Sequence, residues 1–274
     1  LMFAPVSLIG LSIAQAAFPV LSREKNNLTN FKITFITSFN QMLFLILPVS
    51  AIILVLRIPI VRLAYGADKF DWPATVLTGH ILAFLSLSIF AQALIVLLYR
   101  AFYALHNSLV PLAVSAFATI LLIVLGYYFI IVQNMGIQSI AFAFTFANIV
   151  QLIILFLILS KKVDGFPKDL LFFSPIKIIV ATFFTGIALY VPIKLLDQLV
   201  FDTTHTINLI FLTGISSFIG LSFYLFLTWL FNVKQAATFL LIFRKIGNLA
   251  SRQAGWKEIL GKSDEPIDGT RLNP

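Results

Sequence analysis

Seven strongly apolar stretches, uncharged but for Lys177 near the start of the sixth, fill most of this sequence, at roughly 1–21, 33–56, 77–99, 109–132, 136–159, 175–193 and 206–231. Each is near or above the ~20 residues that a helix needs to cross a hydrocarbon core of ~30 Å. With 60% hydrophobic and 11% charged residues, the chain has too few polar groups to cover a soluble globule. The pattern predicts an all-α, polytopic bundle of seven transmembrane helices.

The formal charge of +8 is distributed unevenly. Threading the spans alternately puts Arg23, Lys25, Lys32, Arg100, Lys161, Lys162, Lys168, Lys177 and every basic residue from Lys234 to Arg271 on one side. Arg57, Arg62, Lys69 and Lys194 are left on the other. Cytoplasmic loops carry the excess of Lys and Arg, so the expected topology has Leu1 outside and a cytoplasmic C-terminus. No basic run is interleaved with stacking aromatics, which argues for membrane lipids as partners and against nucleic acid. Leu1 already lies inside a hydrophobic run with no charged flank, so the chain is expected to be the C-terminal part of a longer protein. Cysteine is absent, which removes disulfides and thiolate metal sites.

Organisation follows the breaks between spans. Residues 1–160 hold five helices, the first with a small-residue face at Gly10, Ser12, Ala14, Ala16 and Ala17 suited to close helix packing. An outer loop is expected across Arg57–Pro73, and Pro111 falls in the first turn of the fourth span, where a missing N–H is tolerated. After the linker-like Lys161–Pro167, residues 161–232 hold two Phe-rich helices with no Asn or Gln in their middles. These are expected to be peripheral and to line a lipid groove through Phe183, Phe184, Phe211 and Phe218. Residues 233–254 read as an interfacial amphipathic helix, with Phe239, Leu240, Phe243, Ile246 and Leu249 opposite Lys234, Arg244, Lys245 and Arg252. Residues 255–274 read as a disordered cytoplasmic tail.

Catalytic chemistry finds no footing here. All 11 acidic residues fall in loops, at span ends or in the tail, and His80, His106 and His205 are scattered. Paired carboxylates, a metal cluster, a nucleophile–base pair or a glycine-rich phosphate loop cannot be assembled from these positions. The expectation is a non-enzyme without cofactor or metal. Within the spans the polar groups are neutral: Gln15, Asn40, Gln41, Gln92, Asn148 and Gln151. They serve either as interhelical hydrogen-bond partners or as the lining of a hydrated cavity. Arg100, close to Tyr103 at the end of the third span, either snorkels to the interface or supplies a bidentate fork for phosphate at a gate.

Three segments then carry a family likeness. Pro5, Gly10, Ser12-Ile13-Ala14, Phe18-Pro19 and Leu21-Ser22 resemble the eighth span of the MurJ/MviN lipid II flippases. Arg100-x-Phe102-Tyr103-Ala104-Leu105 followed by Pro111 resembles the end of that family's tenth span, and Tyr65-Gly66-x-x-x-Phe70 the loop before it. The resemblance covers residues 1 to about 245 and corresponds to spans eight to fourteen of fourteen.

The resemblance implies a member of the multidrug/oligosaccharidyl-lipid/polysaccharide exporter superfamily in the bacterial inner membrane, with two lobes that rock to give alternating access. Residues 1–160 would supply most of the second lobe, and the last two spans would frame a groove for the lipid tail. The implied substrate is the undecaprenyl-pyrophosphate-linked peptidoglycan precursor, and the implied partner is the first lobe of the same protein, which carries most of the family's pyrophosphate-binding arginines. This chain departs from the pattern at Asn107-Ser108, where the family often has Asp-Thr. It also offers neither Asn nor Asp over 112–132 for the sodium site of some members. Alternative readings are a drug or polysaccharide-lipid exporter of the same superfamily, or a non-transporting membrane scaffold.

Overall fold

The computed structural model describes residues 1–65, 71–199 and 206–236, with backbone alone at 168–170, 172, 191–199 and 206–207. Residues 237–274, which hold nearly all of the expected amphipathic helix and the tail, lie outside the described residues, as do 66–70 and His205. The described chain is helical throughout, and seven of its helices are long and apolar enough to cross a membrane.

Helix α1 (Phe3–Arg23) starts with Pro5 in its first turn and contains a π-helical stretch at Val6–Leu11. Helix α2 (Leu28–Val55) is capped by Asn27, whose side chain accepts from the Asn30 N–H. At Leu56 the chain continues directly into a short helix, α3 (Arg57–Tyr65). The outer loop expected across Arg57–Pro73 is instead helical over its first nine residues. Pro59 is the third residue of α3, among the N–H groups that have no intrahelical partner anyway, so it starts the helix rather than breaking it.

Helix α4 (Trp72–Ala104) begins well before the expected position 77, because the Asp71 side chain accepts from the Ala74 N–H and Pro73 occupies the first turn. Helix α5 (Leu109–Val132) ends in a second π-turn at Tyr128–Val132. Helices α6 (Gln138–Lys162), α7 (Lys168–Leu199) and α8 (Thr206–Leu230) complete the set.

Helices α2 and α4 pack against each other at the centre. Of their apolar spans 56% and 61% are buried, against 17% for α5. On one side α4 carries α6, with α5 beyond it; on the other, α2 carries α7, with α8 beyond that. Helix α1 lies against α4 and α2, and a Cβ added at Gly10 would sit 3.0 Å from the Ala93 Cβ of α4. Glycine there permits the close backbone approach on which small-residue membrane packing depends.

A proline in mid-helix leaves the carbonyl four residues earlier without its donor. Pro48 does this to Phe44 in α2, and the Tyr224 hydroxyl of α8 donates to that carbonyl at 2.8 Å. Tyr224 is fully buried, with its ring tilted against the Phe44 ring at 5.5 Å.

Candidate functional site

Helices α4, α6 and α8 reach the same side of the bundle and end in the same way. His106, Asp164 and Asn232 each adopt positive φ, and the N–H of the following residue returns to a carbonyl five residues back: Asn107 to Phe102, Gly165 to Ser160, Val233 to Thr228. This double-bonded cap normally uses glycine, and histidine, aspartate and asparagine are among the residues that tolerate the left-handed conformation best. A lysine from a neighbouring helix or turn meets each end. Lys32 donates to the Asp164 carbonyl at 3.2 Å, Lys177 to the Phe231 carbonyl at 2.8 Å, and Lys25 to His106 Nε2 at 2.9 Å. An ammonium can only donate, so the His106 ring nitrogen is the acceptor in this contact. Cations beside carbonyl-rich helix ends are favourable.

On this side Arg100 and Phe18 come together. The Arg100 guanidinium lies 5.6 Å from the centroid of the Phe18 ring, joining the two motifs that stood 82 positions apart in sequence. Arg100 is half-buried, Phe102 beside it is fully buried and fixes the helix end, and Tyr103 is exposed and stacked on Tyr99 at 6.4 Å. Pro19, also exposed, removes the donor that the Gln15 carbonyl would have used, and the Gln15 side chain itself is exposed on α1. Pro111 is buried in the first turn of α5.

The remaining span polar groups are dispersed. Gln151 of α6 donates to the Tyr99 hydroxyl of α4 at 2.6 Å, and further along the same interface Thr145 donates to the Phe84 carbonyl at 2.7 Å. Gln92 donates to Ser88 of its own helix at 2.8 Å and to the Met2 sulfur ahead of α1 at 3.9 Å, and Asn148 donates to the Phe144 carbonyl at 2.8 Å. Asn40 is buried and Gln41 half-buried on α2. None of the six amides, nor Arg100 or Tyr103, lines the cavities along α7.

Those cavities form a groove over α2 and α4, walled by α6 and α7. Phe39, Phe90, Phe156 and Ile176 border a part of about 410 Å³. Leu47, Ser50, Leu87 and Phe183 border the next part, of about 540 Å³, and Phe90 and Ile179 belong to both. At the capped side an aromatic cluster adjoins the groove: Phe35, Phe39, Phe156 and Phe166 contact one another at 5.2 to 5.8 Å. At the opposite side a cavity of about 590 Å³ shares Leu54, Val55, Gly186 and Tyr190 with the groove and adds Arg57 and Arg62. Of the four groove phenylalanines expected from sequence, Phe183 borders this space. Phe184, Phe211 and Phe218 are exposed outside it. Sequence reasoning overlooked Arg57 and Arg62 as cavity residues, although an arginine pair flanking a mid-loop Pro59 was a visible hint of ordered structure.

Known proteins resemble this chain over most of its length. The family described as "Lipid II flippase MurJ" matches residues 1–233. A probable lipid II flippase MurJ of Rhizobium meliloti (strain 1021) is 34% identical over 116 residues, which covers 39% of this chain and 21% of that protein. The solved structure "Lipid II flippase MurJ, inward closed conformation" superposes with a TM-score of 0.62 at 20% identity, over 80% of this chain and 44% of that one. The chain therefore spans less than half the length of the relatives it matches.

Proposed function

Because this chain belongs to the MurJ lipid II flippase family, we propose that it forms the second half of a transporter that carries the lipid-linked peptidoglycan precursor across the bacterial inner membrane. The observation that carries this reading is the family match through all seven spans, up to the Val233 cap of α8. The physical features agree with it. The groove along α7 is apolar and lies beside exposed, membrane-facing side chains, which suits a hydrocarbon tail; a water-soluble cargo needs no such groove. The six span amides are neutral, and no carboxylate lies in the middle of a described span.

In this reading the side with the three capped helix ends faces the cytoplasm, in keeping with its excess of Lys and Arg. Arg100, its guanidinium over the Phe18 ring, works at the cytoplasmic gate. It meets either the substrate pyrophosphate or a carboxylate of the first lobe as the two lobes alternate in access. Expression of the protein in a bacterium depleted of its own lipid II flippase should restore growth and the labelling of lipid II at the outer surface. A normally abundant protein that leaves lipid II inside, or that confers only drug resistance, overturns the assignment.

A further inference from the structure

We propose that Lys25 and His106 form a proton-operated clasp. It ties the α1–α2 turn to the α4–α5 turn while the His106 ring is neutral, and it opens when the ring takes up a proton. The clasp involves the ends of α1 and α4 alone, so it stands or falls separately from the flippase reading.

Three lysines meet capped helix ends, and their acceptors differ. Lys32 and Lys177 bond backbone carbonyls, which take up no proton near neutrality. Lys25 bonds a histidine ring, with Nζ 2.9 Å from His106 Nε2. Histidine is the side chain whose charge ordinarily changes between about pH 5 and 8. A protonated ring has two donors and no acceptor, so the bond is lost and two like charges are left in contact.

Both partners are braced from behind. His106 holds φ at 53°, and Asn107 after it returns its N–H to the Phe102 carbonyl at 2.9 Å and accepts the Val110 N–H on Oδ1 at 3.4 Å. Across from it, the Asn27 N–H closes its turn on the Glu24 carbonyl at 2.8 Å, and the Glu24 carboxylate accepts the Thr34 hydroxyl at 2.6 Å. With each turn fixed on itself, the repulsion is relieved between them.

The surrounding charges do not compensate. In the α1–α2 turn and the helix before it, Glu24 is engaged by Thr34, and Arg23 is exposed. On α4, Arg100 lies over Phe18, and Tyr103 is exposed and stacked on Tyr99. The first turn of α5 carries no titratable group, and the end of α6 packed on α5 adds the exposed Lys161 and Lys162. A proton on His106 therefore adds charge to a region that is already cationic. Phe18 and Arg100, 5.6 Å apart, belong to the two helices that end just before Lys25 and His106. The clasp is thus a second fastening of the same helix pair, and its release loosens α1 from α4 at the end where that contact lies.

The chain has no cysteine, so Asn26→Cys and Ser108→Cys can carry the only two spin labels on the full chain. Both positions are exposed, and the Ser108 side chain caps nothing. Electron paramagnetic resonance in nanodiscs reads the separation of the labels from about pH 8 down to about pH 5. The ratio of parted to joined turns should rise by about fivefold, the effect of two unit charges in contact in water. Lys25→Gln should abolish the response, because its amide can donate to a neutral ring and accept from a protonated one. His106→Asn should abolish it too: asparagine tolerates the positive φ, and its carbonyl accepts at every pH tested. Lys32→Gln should respond as the parent does. A parent separation that does not change with pH overturns the clasp. So does a response that survives in Lys25→Gln or His106→Asn, which assigns it to another group such as Glu24, or one that also vanishes in Lys32→Gln, which assigns it to the overall charge of that side.

Discussion

Tyr224 donates its hydroxyl to the one carbonyl in its reach that Pro48 has deprived of a helical partner, that of Phe44. A peripheral helix is thereby fastened to the centre of the bundle through a defect in the central one. Tyr224→Phe should destabilise the protein by about 1–3 kcal/mol, the cost of leaving a buried carbonyl unsatisfied. In a Pro48→Ala background residue 48 regains its N–H and can serve Phe44, so the same change should cost much less. Thermal unfolding of the four proteins of the cycle measures this; equal costs in the two backgrounds would falsify the coupling.

The Gln151–Tyr99 bond predicts a second cycle. Combining Gln151→Leu with Tyr99→Phe should reveal a favourable coupling of about 0.6 kcal/mol and no more than ~1.7, the range measured between membrane helices. Transport in a depletion strain should survive Gln151→Leu, since the residue clamps α6 to α4. Loss of transport with normal folding would instead give Gln151 a direct role.

At the α1–α4 crossing, Gly10→Ala places a methyl 3.0 Å from Ala93 Cβ and should cost about 1–3 kcal/mol through overpacking. Ala93→Gly in the same protein should recover most of the loss. Failure of the second change to rescue the first, read as unfolding temperature in detergent, would show that the crossing is not the tight point.

For Arg100, alanine substitution in the full-length protein should slow lipid II flipping by at least about tenfold, in line with losing a charge-assisted bond. Arg100→Lys should restore only part of the rate, because an ammonium lacks the bidentate fork. Phe18→Leu should weaken the hold on the guanidinium by about 0.5–1 kcal/mol and give an intermediate rate. Normal flipping by the alanine variant, at normal abundance on a blot, would leave Arg100 as an interfacial anchor.

Lys32→Met and Lys177→Met should each lower stability by about 0.3–1 kcal/mol, with the deficit shrinking as salt is raised. Lys161→Met, an exposed residue, is the comparison. Three indistinguishable unfolding curves would argue that the capped ends have no need of their lysines.

The seven spans and their order were legible because a run of uncharged apolar residues has only one stable form in hydrocarbon. Span starts were not, since Asp71 and Pro73 extend α4 by capping it and Pro59 nucleates α3, effects that a hydropathy run does not contain. The polar span residues were visible as residues but not as partners. Whether Gln151 meets Tyr99 or a cavity depends on helix rotation, Asn148 turns back to its own helix, and Gln92 divides its amide between Ser88 of its own helix and the Met2 sulfur. Arg100 could be singled out from its aromatic motif, yet its neighbour Phe18 comes from the other motif. The arginines at 57 and 62 read as loop charges until α3 folded them over the end of the groove.

Lys32 and Lys177 each belong to a helix that enters the bundle from the side on which the helices they latch come to an end. Under the proposed topology, insertion and assembly therefore draw on the same two side chains. A lysine retained on that side during synthesis is already at the level of the carbonyl it will later hold, so no charge has to be dragged through the bilayer to close the latch. Were a helix threaded the wrong way round, the lysine and its carbonyl would be a membrane's thickness apart, and that hairpin would stay unfastened. The topology signal then doubles as a proofreading contact, rewarding only the arrangement it has itself specified.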